Sequence, residues 1–274
     1  MNLSNSLREK TFAIYGLGAT GVSIINFFKK NKINNYFIWD DNIKFKKVSN
    51  LKCNKKIFIK KLDTVDYILV SPGIDINKSS IKKKLRKHIK KIITDLDLLY
   101  LQNIDFKSIV VTGTNGKSTT CKMLEHLLKK NKFSVKLGGN IGKPVLDLNI
   151  SKKDILVLEA SSFQLAYSKF IKPNYAMILN ITTDHLDWHK NFINYSNSKF
   201  KIFSLQKKTD FSFLDNSILF KKYKKRKFKG KLKFIKKNKY GFINKKIKNN
   251  YLKSDGNIKN MNFVYELSLL LKIN

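Results

Sequence analysis

Arginine is nearly absent from this chain. Arg8, Arg86 and Arg226 are the only arginines among 56 basic residues, which face 19 acidic ones for a formal net charge of +37. Proteins that read base edges or grip phosphates bidentately use arginine's planar fork. The charge alone therefore does not mark a nucleic-acid protein. A lysine bias of this kind, with abundant Asn, Ile and Phe, reads as drift toward A/T-rich codons. Cysteine is scarce too. Cys53 and Cys121 are the only two, which excludes a disulfide scaffold and a cysteine-based metal cluster. No apolar run reaches the roughly 20 residues of a membrane span. Met1 to Lys10 lacks the apolar segment of a signal peptide. Together these absences predict a cytoplasmic protein. Acidic residues are missing altogether from Lys221 to Asn250, where fifteen basic residues occur. Phe228, Leu232, Phe234, Ile235, Tyr240, Phe242 and Ile243 recur in that tract, which predicts short edge strands or hairpins guarded by lysine.

A length of 274 residues with 42% hydrophobic content is enough for two domains with real cores. The strongest local signal is Val110 to Thr120. An apolar strand runs into Gly113-Thr114-Asn115-Gly116, then Lys117-Ser118-Thr119 and a helical pattern. Backbone N–H groups in such a loop face phosphate oxygens, and the lysine adds charge near the outer phosphates. The common pattern has four residues between its glycines, whereas Gly113 and Gly116 are separated by two.

Two α/β units emerge around this loop. The first opens with the strand Thr11–Tyr15, the turn Gly16-Leu17-Gly18-Ala19-Thr20-Gly21 and a helix. A second strand, Tyr36–Trp39, ends in Asp40-Asp41, where acidic residues commonly accept hydrogen bonds from a sugar. A third, Tyr67–Val70, runs into Ser71-Pro72-Gly73, and Gly73 is expected to let the backbone bend toward a ligand. Ile92-Ile93-Thr94 reads as a strand and Asp95 to Leu101 as a short helix. In the second unit, strands over 134–137, 155–158 and 175–179 lead to Gly138-Gly139-Asn140, Glu159-Ala160-Ser161 and Asp184-His185. Open parallel sheets bind ligands beyond the carboxyl ends of their strands. Lys117, Asn140, Glu159 and His185 all fall there. After Phe203 the regularity is lost, except for a helix over Asn260 to Leu271.

Glu159 closes a strand that reads as fully buried, and a buried lone carboxylate is costly. A Mg²⁺ ion shared with the Ser118 hydroxyl would resolve that cost. His185 and His189 lie four residues apart, but no Glu follows His185 directly, so a zinc-protease pattern is excluded. Lys199 lies in a helix-like stretch from Phe192 to Leu205, and spacing alone does not separate it from the other lysines.

Gly113-Thr114-Asn115-Gly116-Lys117-Ser118-Thr119, Gly139-Asn140-Ile141-Gly142, Glu159-Ala160-Ser161-Ser162-Phe163-Gln164-Leu165 and Asp184-His185-Leu186-Asp187 resemble the Mur ligases. The resemblance covers about residues 11 to 205. It implies a Rossmann-like, UDP-sugar-binding domain over residues 1–102. A P-loop α/β central domain that binds ATP would follow over residues 103–274, with its later part incomplete. It further implies an ATP-dependent amide ligase of peptidoglycan precursor synthesis, and hence of cell-wall growth, cell shape and division. Its branch adds D-glutamate to UDP-N-acetylmuramoyl-L-alanine through an acyl phosphate. Gly113 to Thr119 would hold the ATP phosphates, and Ser118 or Thr119 with Glu159 one Mg²⁺. His185 would hold a second Mg²⁺ beside Lys199, the lysine that in the family is carbamylated by CO₂. Asn140, Ser161 and His185 would face the reacting carboxylate. Ala19, Thr20, Asp40, Asp41 and Gly73 would hold the UDP end. Trp188 stands where the family usually has Arg. Asn257 and Asn260 match the end of a Gly-x-His-Asn-x-x-Asn pattern whose Gly and His are replaced by Ser254 and Gly256. No counterpart of the family's C-terminal domain is legible. The chain alone is therefore expected to bind ligands but turn over little, whether it is a fragment, a degrading gene product or one half of a split protein partnered by a separate C-terminal domain. The rival readings are an inactive or split fragment, a folate polyglutamylating ligase and a lysine-rich RNA-binding module.

Overall fold

The structure, a computed structural model, describes residues 5–42, 54–102, 104–215, 217–235 and 247–273. Cys53, Tyr240, Phe242 and Ile243 lie outside the described residues. The chain divides into two units. The first comprises Met1–Ile104 together with two later segments, Pro144–Asn149 and Ala166–Ile171.

In the first unit, α1 (Asn5–Arg8) precedes β1 (Phe12–Tyr15), α2 (Ala19–Lys30), β2 (Tyr36–Trp39), α3 (Lys55–Lys61) and β3 (Tyr67–Val70). Then come α4 (Lys82–Lys87), β4 (Ile92–Ile93) and α5 (Asp95–Leu101). The strands form a parallel sheet in the order β2-β1-β3-β4. Continuous apolar runs such as Phe12-Ala13-Ile14-Tyr15 suit it, since helices cover both faces of parallel sheets. Ala13, Tyr15, Trp39, Phe58, Leu62, Ile68 and Val70 share one core cluster. Local chemistry sets the helix starts. Asn54 accepts from Ile57 N–H to cap α3. Thr94 and Asp97 form a reciprocal capping box on α5. Asp97 is buried and also accepts from Lys169 N–H (2.8 Å) and Phe170 N–H (2.7 Å), tying the later segment down. Burial raises its carboxyl pKa.

The second unit contains β5 (Lys107–Thr112), α6 (Lys117–Lys130), β6 (Val135–Gly139), β7 (Ile155–Glu159), α7 (Ser162–Tyr167) and β8 (Tyr175–Ile178); the last two residues of α7 pack with the first unit. It continues with α8 (Leu186–His189), α9 (Phe192–Phe200), β9 (Phe211–Leu214), α10 (Ser217–Lys225), β10 (Lys231–Phe234) and α11 (Asp255–Leu270). The sheet order is β10-β9-β8-β5-β7-β6, with every named pairing parallel. Leu124 and Leu128 of α6 join Val111, Val157, Met177, Phe213, Phe263 and Leu267 in the core.

One expectation is corrected here. The chain does not lose regularity after Phe203: β9, α10 and β10 form a further β-α-β run. The lysine-rich tract supplies an edge strand as expected, β10, which pairs in parallel with β9. Parallel neighbours need a crossover, and α10 provides it by burying Leu219 and Tyr223, four residues apart, while Lys221, Lys224 and Lys225 stay exposed.

Candidate functional site

The loop after β5 opens onto the uncapped N-terminus of α6. Gly116 takes φ +85° at the N-cap of α6 and offers no side-chain cap. The first N–H groups of a fourteen-residue helix thus have no side-chain acceptor there. A β-carbon on Gly116 would lie 2.5 Å from the Asn260 side chain, so only glycine fits between the loop and α11. Asn180 fixes the loop's first half. Its Oδ1 accepts from Thr114 N–H (3.1 Å) and Asn115 N–H (2.9 Å), and its Nδ2 donates to Asn115 O (3.0 Å).

Lys117 folds back on this loop. Its Nζ donates to Thr114 O at 2.7 Å and to Gly113 O at 3.1 Å. Lys199 donates to the same Gly113 carbonyl, at 2.8 Å. That lysine is almost wholly buried, at 1% exposure, and lies 4.6 Å from the centre of the Tyr195 ring. Burial first, then the charge of Lys117, push its amine down to about 7. The Tyr195 hydroxyl in turn meets Thr114 Oγ1 at 3.0 Å. The lysine, ring and loop therefore form one packed group.

Glu159 is 2% exposed at the end of β7, and both its oxygens are engaged. Ser118 Oγ donates to Oε2 at 2.7 Å, and Asn140 Nδ2 donates to Oε1 at 2.8 Å. Gly139 permits this approach: it takes φ +107°, and a β-carbon there would fall 2.3 Å from Glu159 O. Thus Lys117, Ser118, Asn140 and Glu159 converge at the phosphate loop. A hydroxyl and a carboxylate are the hard oxygen donors that Mg²⁺ prefers, so these residues fit that ion. Ser161 is placed differently. It is buried and exchanges hydrogen bonds with Gln164, which caps α7.

His185 sits at φ +50°, with its side chain 45% exposed. Its ring packs 4.7 Å from Phe163 and 6.3 Å from Tyr195, centre to centre. Nε2 lies 3.3 Å from Asp184 Oδ2. Tyr195 thus touches both His185 and Lys199.

The first unit presents a second glycine turn. Gly16 takes φ +101°, and a β-carbon there would meet Ser71 and Ile74 at 2.7 Å. One on Gly21 would lie 1.9 Å from Gly16 O. These glycines let α2 start directly against β1 and β3, and Gly18 gives its N-terminus no side-chain cap. Ala19 and Thr20 open that helix. Asp40 is buried, and its oxygens accept from Leu17 N–H (2.6 Å) and Asn42 N–H (2.7 Å), so it shapes the turn. Asp41 is exposed and accepts from Tyr15 OH (2.6 Å), Trp39 Nε1 (2.9 Å) and Ser80 Oγ (2.7 Å). Its carboxyl pKa is lowered: burial alone would raise it, and these donors outweigh that. Gly73 corrects an expectation. It has no left-handed φ, and a β-carbon there meets nothing within 4 Å, so the bend does not require glycine.

Comparison with known proteins decides the family. Residues 111–273 match the Mur ligase middle domain, and residues 10–93 match the Mur ligase MurD-like N-terminal domain. The chain belongs to the Mur ligase family. Its Mur ligase relatives include the UDP-N-acetylmuramoylalanine–D-glutamate ligase of Wolbachia pipientis wMel, 38% identical over 72% of this chain. The enzyme of the same name from Buchnera aphidicola subsp. Schizaphis graminum is also 38% identical over 72%. The chain spans 40% and 46% of their lengths. Among solved Mur ligases, the MurF ligase from Thermotoga maritima in complex with ADP matches with a TM-score of 0.51 at 18% identity, covering 98% of this chain and 64% of that one. The UDP-N-acetylmuramate:L-alanyl-γ-D-glutamyl-meso-diaminopimelate ligase from Neisseria meningitides also gives 0.51, at 15% identity, covering 82% and 77%. At these identities the likeness concerns the fold.

Within this Mur ligase chain, sequence reasoning passed over Asn180 and Tyr195 as site residues. Asn180 follows a strand directly, and that position was a usable signal. Tyr195 lies mid-helix in α9 without a motif, and only the fold brings it to Thr114 and Lys199.

Proposed function

We propose that this chain carries the nucleotide-sugar and ATP sites of a ligase that joins D-glutamate to UDP-N-acetylmuramoyl-L-alanine in peptidoglycan precursor synthesis. The carrying observation is the buried Glu159 carboxylate held between Ser118 and Asn140 beside Lys117, in a chain whose relatives bear that activity in their names. In this reading the terminal phosphoryl group of ATP passes to the carboxylate of the muramoyl-L-alanine. The D-glutamate amine then attacks the acyl phosphate, phosphate leaves and an amide forms. Mg²⁺, when bound, would neutralise charge on the transferring group. The chain's own residues do the positioning. The uncapped N–H groups of α6 cradle phosphate oxygens, and Lys117 exchanges its loop carbonyls for them. Ser118 and Glu159 would hold one metal, and His185 with a carbamylated Lys199 a second. Asn140 orients Glu159 and faces the reacting carboxylate with Ser161 and His185. Ala19, Thr20 and Asp41 hold the UDP sugar at the α2 N-terminus, with Asp40 and Gly73 shaping the walls. These substrates are cytoplasmic metabolites, so the same reading puts the protein in the cytoplasm. Among the described residues, no helix is long and apolar enough to cross a membrane.

Lys199 is the finer part of the proposal. Its nitrogen is close enough to neutral to attack CO₂ at neutral pH, losing a proton to become a carbamate. Lys117 and Lys199 share one carbonyl as donors, so a carbamate would replace repulsion between them by attraction and offer oxygen to a metal.

A ligand panel tests the function. Calorimetry should show Mg²⁺-dependent ATP binding and binding of UDP-N-acetylmuramoyl-L-alanine, with no competition from folate. Ligation is assayed with and without a supplied C-terminal domain. Folate binding without muramoyl-nucleotide binding would overturn the substrate assignment.

A further inference from the structure

Tyr251 stands at the phosphate loop without being part of it. The residue is 65% exposed, yet its hydroxyl lies 3.3 Å from Thr119 Oγ1. The backbone beneath it is fastened from several sides. Tyr251 N–H donates to Asn249 Oδ1 (2.9 Å), and Tyr251 O accepts from Asn257 Nδ2 (2.8 Å) and Ser254 Oγ (3.1 Å). Asn257 is buried and pairs with Asn260, whose amide packs on Gly116. Tyr251 is thus an anchored aromatic side chain with an open face beside the phosphate loop.

Its place along the loop gives the ligand. In a strand–loop–helix cradle the lysine serves the outer phosphates and the following hydroxyl the metal between them. Those are Lys117 and Ser118 here. Thr119 is one residue further along α6, past the two residues that this reading gives to the outer phosphates and the metal. We propose that Tyr251 is the base platform of the nucleotide site, stacking on the purine ring while Gly113–Thr119 hold the phosphates. This rests on the phosphate-loop reading above. Base–aromatic stacking has one recognisable property: it accepts any flat base and contributes nothing to a ligand without one.

The test compares ADP with inorganic tripolyphosphate on the full chain, in Mg²⁺, by calorimetry. Tyr251→Ala should weaken ADP by about tenfold and leave tripolyphosphate within about twofold. Tyr251→Phe and Tyr251→Trp, which keep a ring, should retain most of the ADP affinity. Unchanged ADP binding by Tyr251→Ala overturns the proposal. Equal weakening of both ligands also overturns it, because Tyr251 would then be bracing the loop. If the wild-type chain binds neither ligand, the phosphate-loop reading fails and takes this one with it. If it binds tripolyphosphate as tightly as ADP, the loop reading stands and the base platform alone fails.

Discussion

At the scale of single residues, Lys199 carries the sharpest prediction. Its amine is depressed in the fold relative to an ordinary lysine, to about 7, chiefly by burial. The folded state therefore binds fewer protons than the unfolded chain between about pH 7 and the ordinary lysine value of 10.5. This stabilising contribution is complete above the unfolded value and is lost as pH falls through about 7. The neutral amine, the form that reacts with CO₂, grows over the same window. With ¹³C-bicarbonate, a carbamate resonance should rise between about pH 6 and pH 8 and be absent in Lys199→Ala. A pH-independent signal, or one that survives the substitution, would count against the assignment. A second prediction concerns Glu159. Glu159→Gln keeps an acceptor oxygen for Asn140 and turns an amide N–H toward the Ser118 hydroxyl, which can accept it, but removes the charge. The fold should persist, while Mg²⁺ should no longer tighten ADP binding. Calorimetry with and without Mg²⁺ reads this directly.

Among the elements, the glycine turns make a graded prediction. Gly116→Ala places a methyl 2.5 Å from Asn260 at φ +85°. It should cost about 1–3 kcal/mol and lower the melting temperature by several degrees. Gly73→Ala meets open space without a left-handed φ and should stay within about 0.5 kcal/mol of wild type. Equal melting temperatures for the two variants would refute the geometric account. The same contrast marks what could be read in advance. Apolar runs at 12–15, 67–70, 110–112 and 155–158 announced buried parallel strands, and the glycines after the first three announced turns. Which glycines are compulsory was not legible, because that depends on neighbours such as Asn260 and Ser71 that are distant in sequence. Phe211–Leu214 was missed since a four-residue strand alternating Phe, Ser, Phe and Leu carries little signal. Ser212 is buried there only because its hydroxyl donates to Gln206 and meets Tyr223. The helix Ser217–Lys225 was hidden by its lysines. They contribute to its packing, as Lys222 donates to Ser196 Oγ and lies over the Phe200 ring. Among site residues, motif positions such as Lys117 and Glu159 were legible, whereas the meeting of Lys199, Tyr195 and Thr114 came from topology.

For the whole molecule, a charge of +37 and a ligand-specific loop make separable predictions. Lysine spread over a surface should hold RNA only through counterion release, so RNA capture should fall steeply as salt rises. ADP held by directed loop N–H groups should lose far less affinity over the same range. Parallel salt titrations check this, and a steeper loss for ADP than for RNA would contradict it. The central claim is that the chain sets ATP against a carboxylate. The most direct measurement is positional isotope exchange in ¹⁸O-labelled ATP with saturating UDP-N-acetylmuramoyl-L-alanine and Mg²⁺, without D-glutamate, on the chain supplied with a C-terminal domain. The account predicts scrambling of the bridging oxygen that depends on the sugar-nucleotide acid and is lost in Lys117→Ala. No scrambling in that complete preparation, while calorimetry shows both ligands bound, would contradict it.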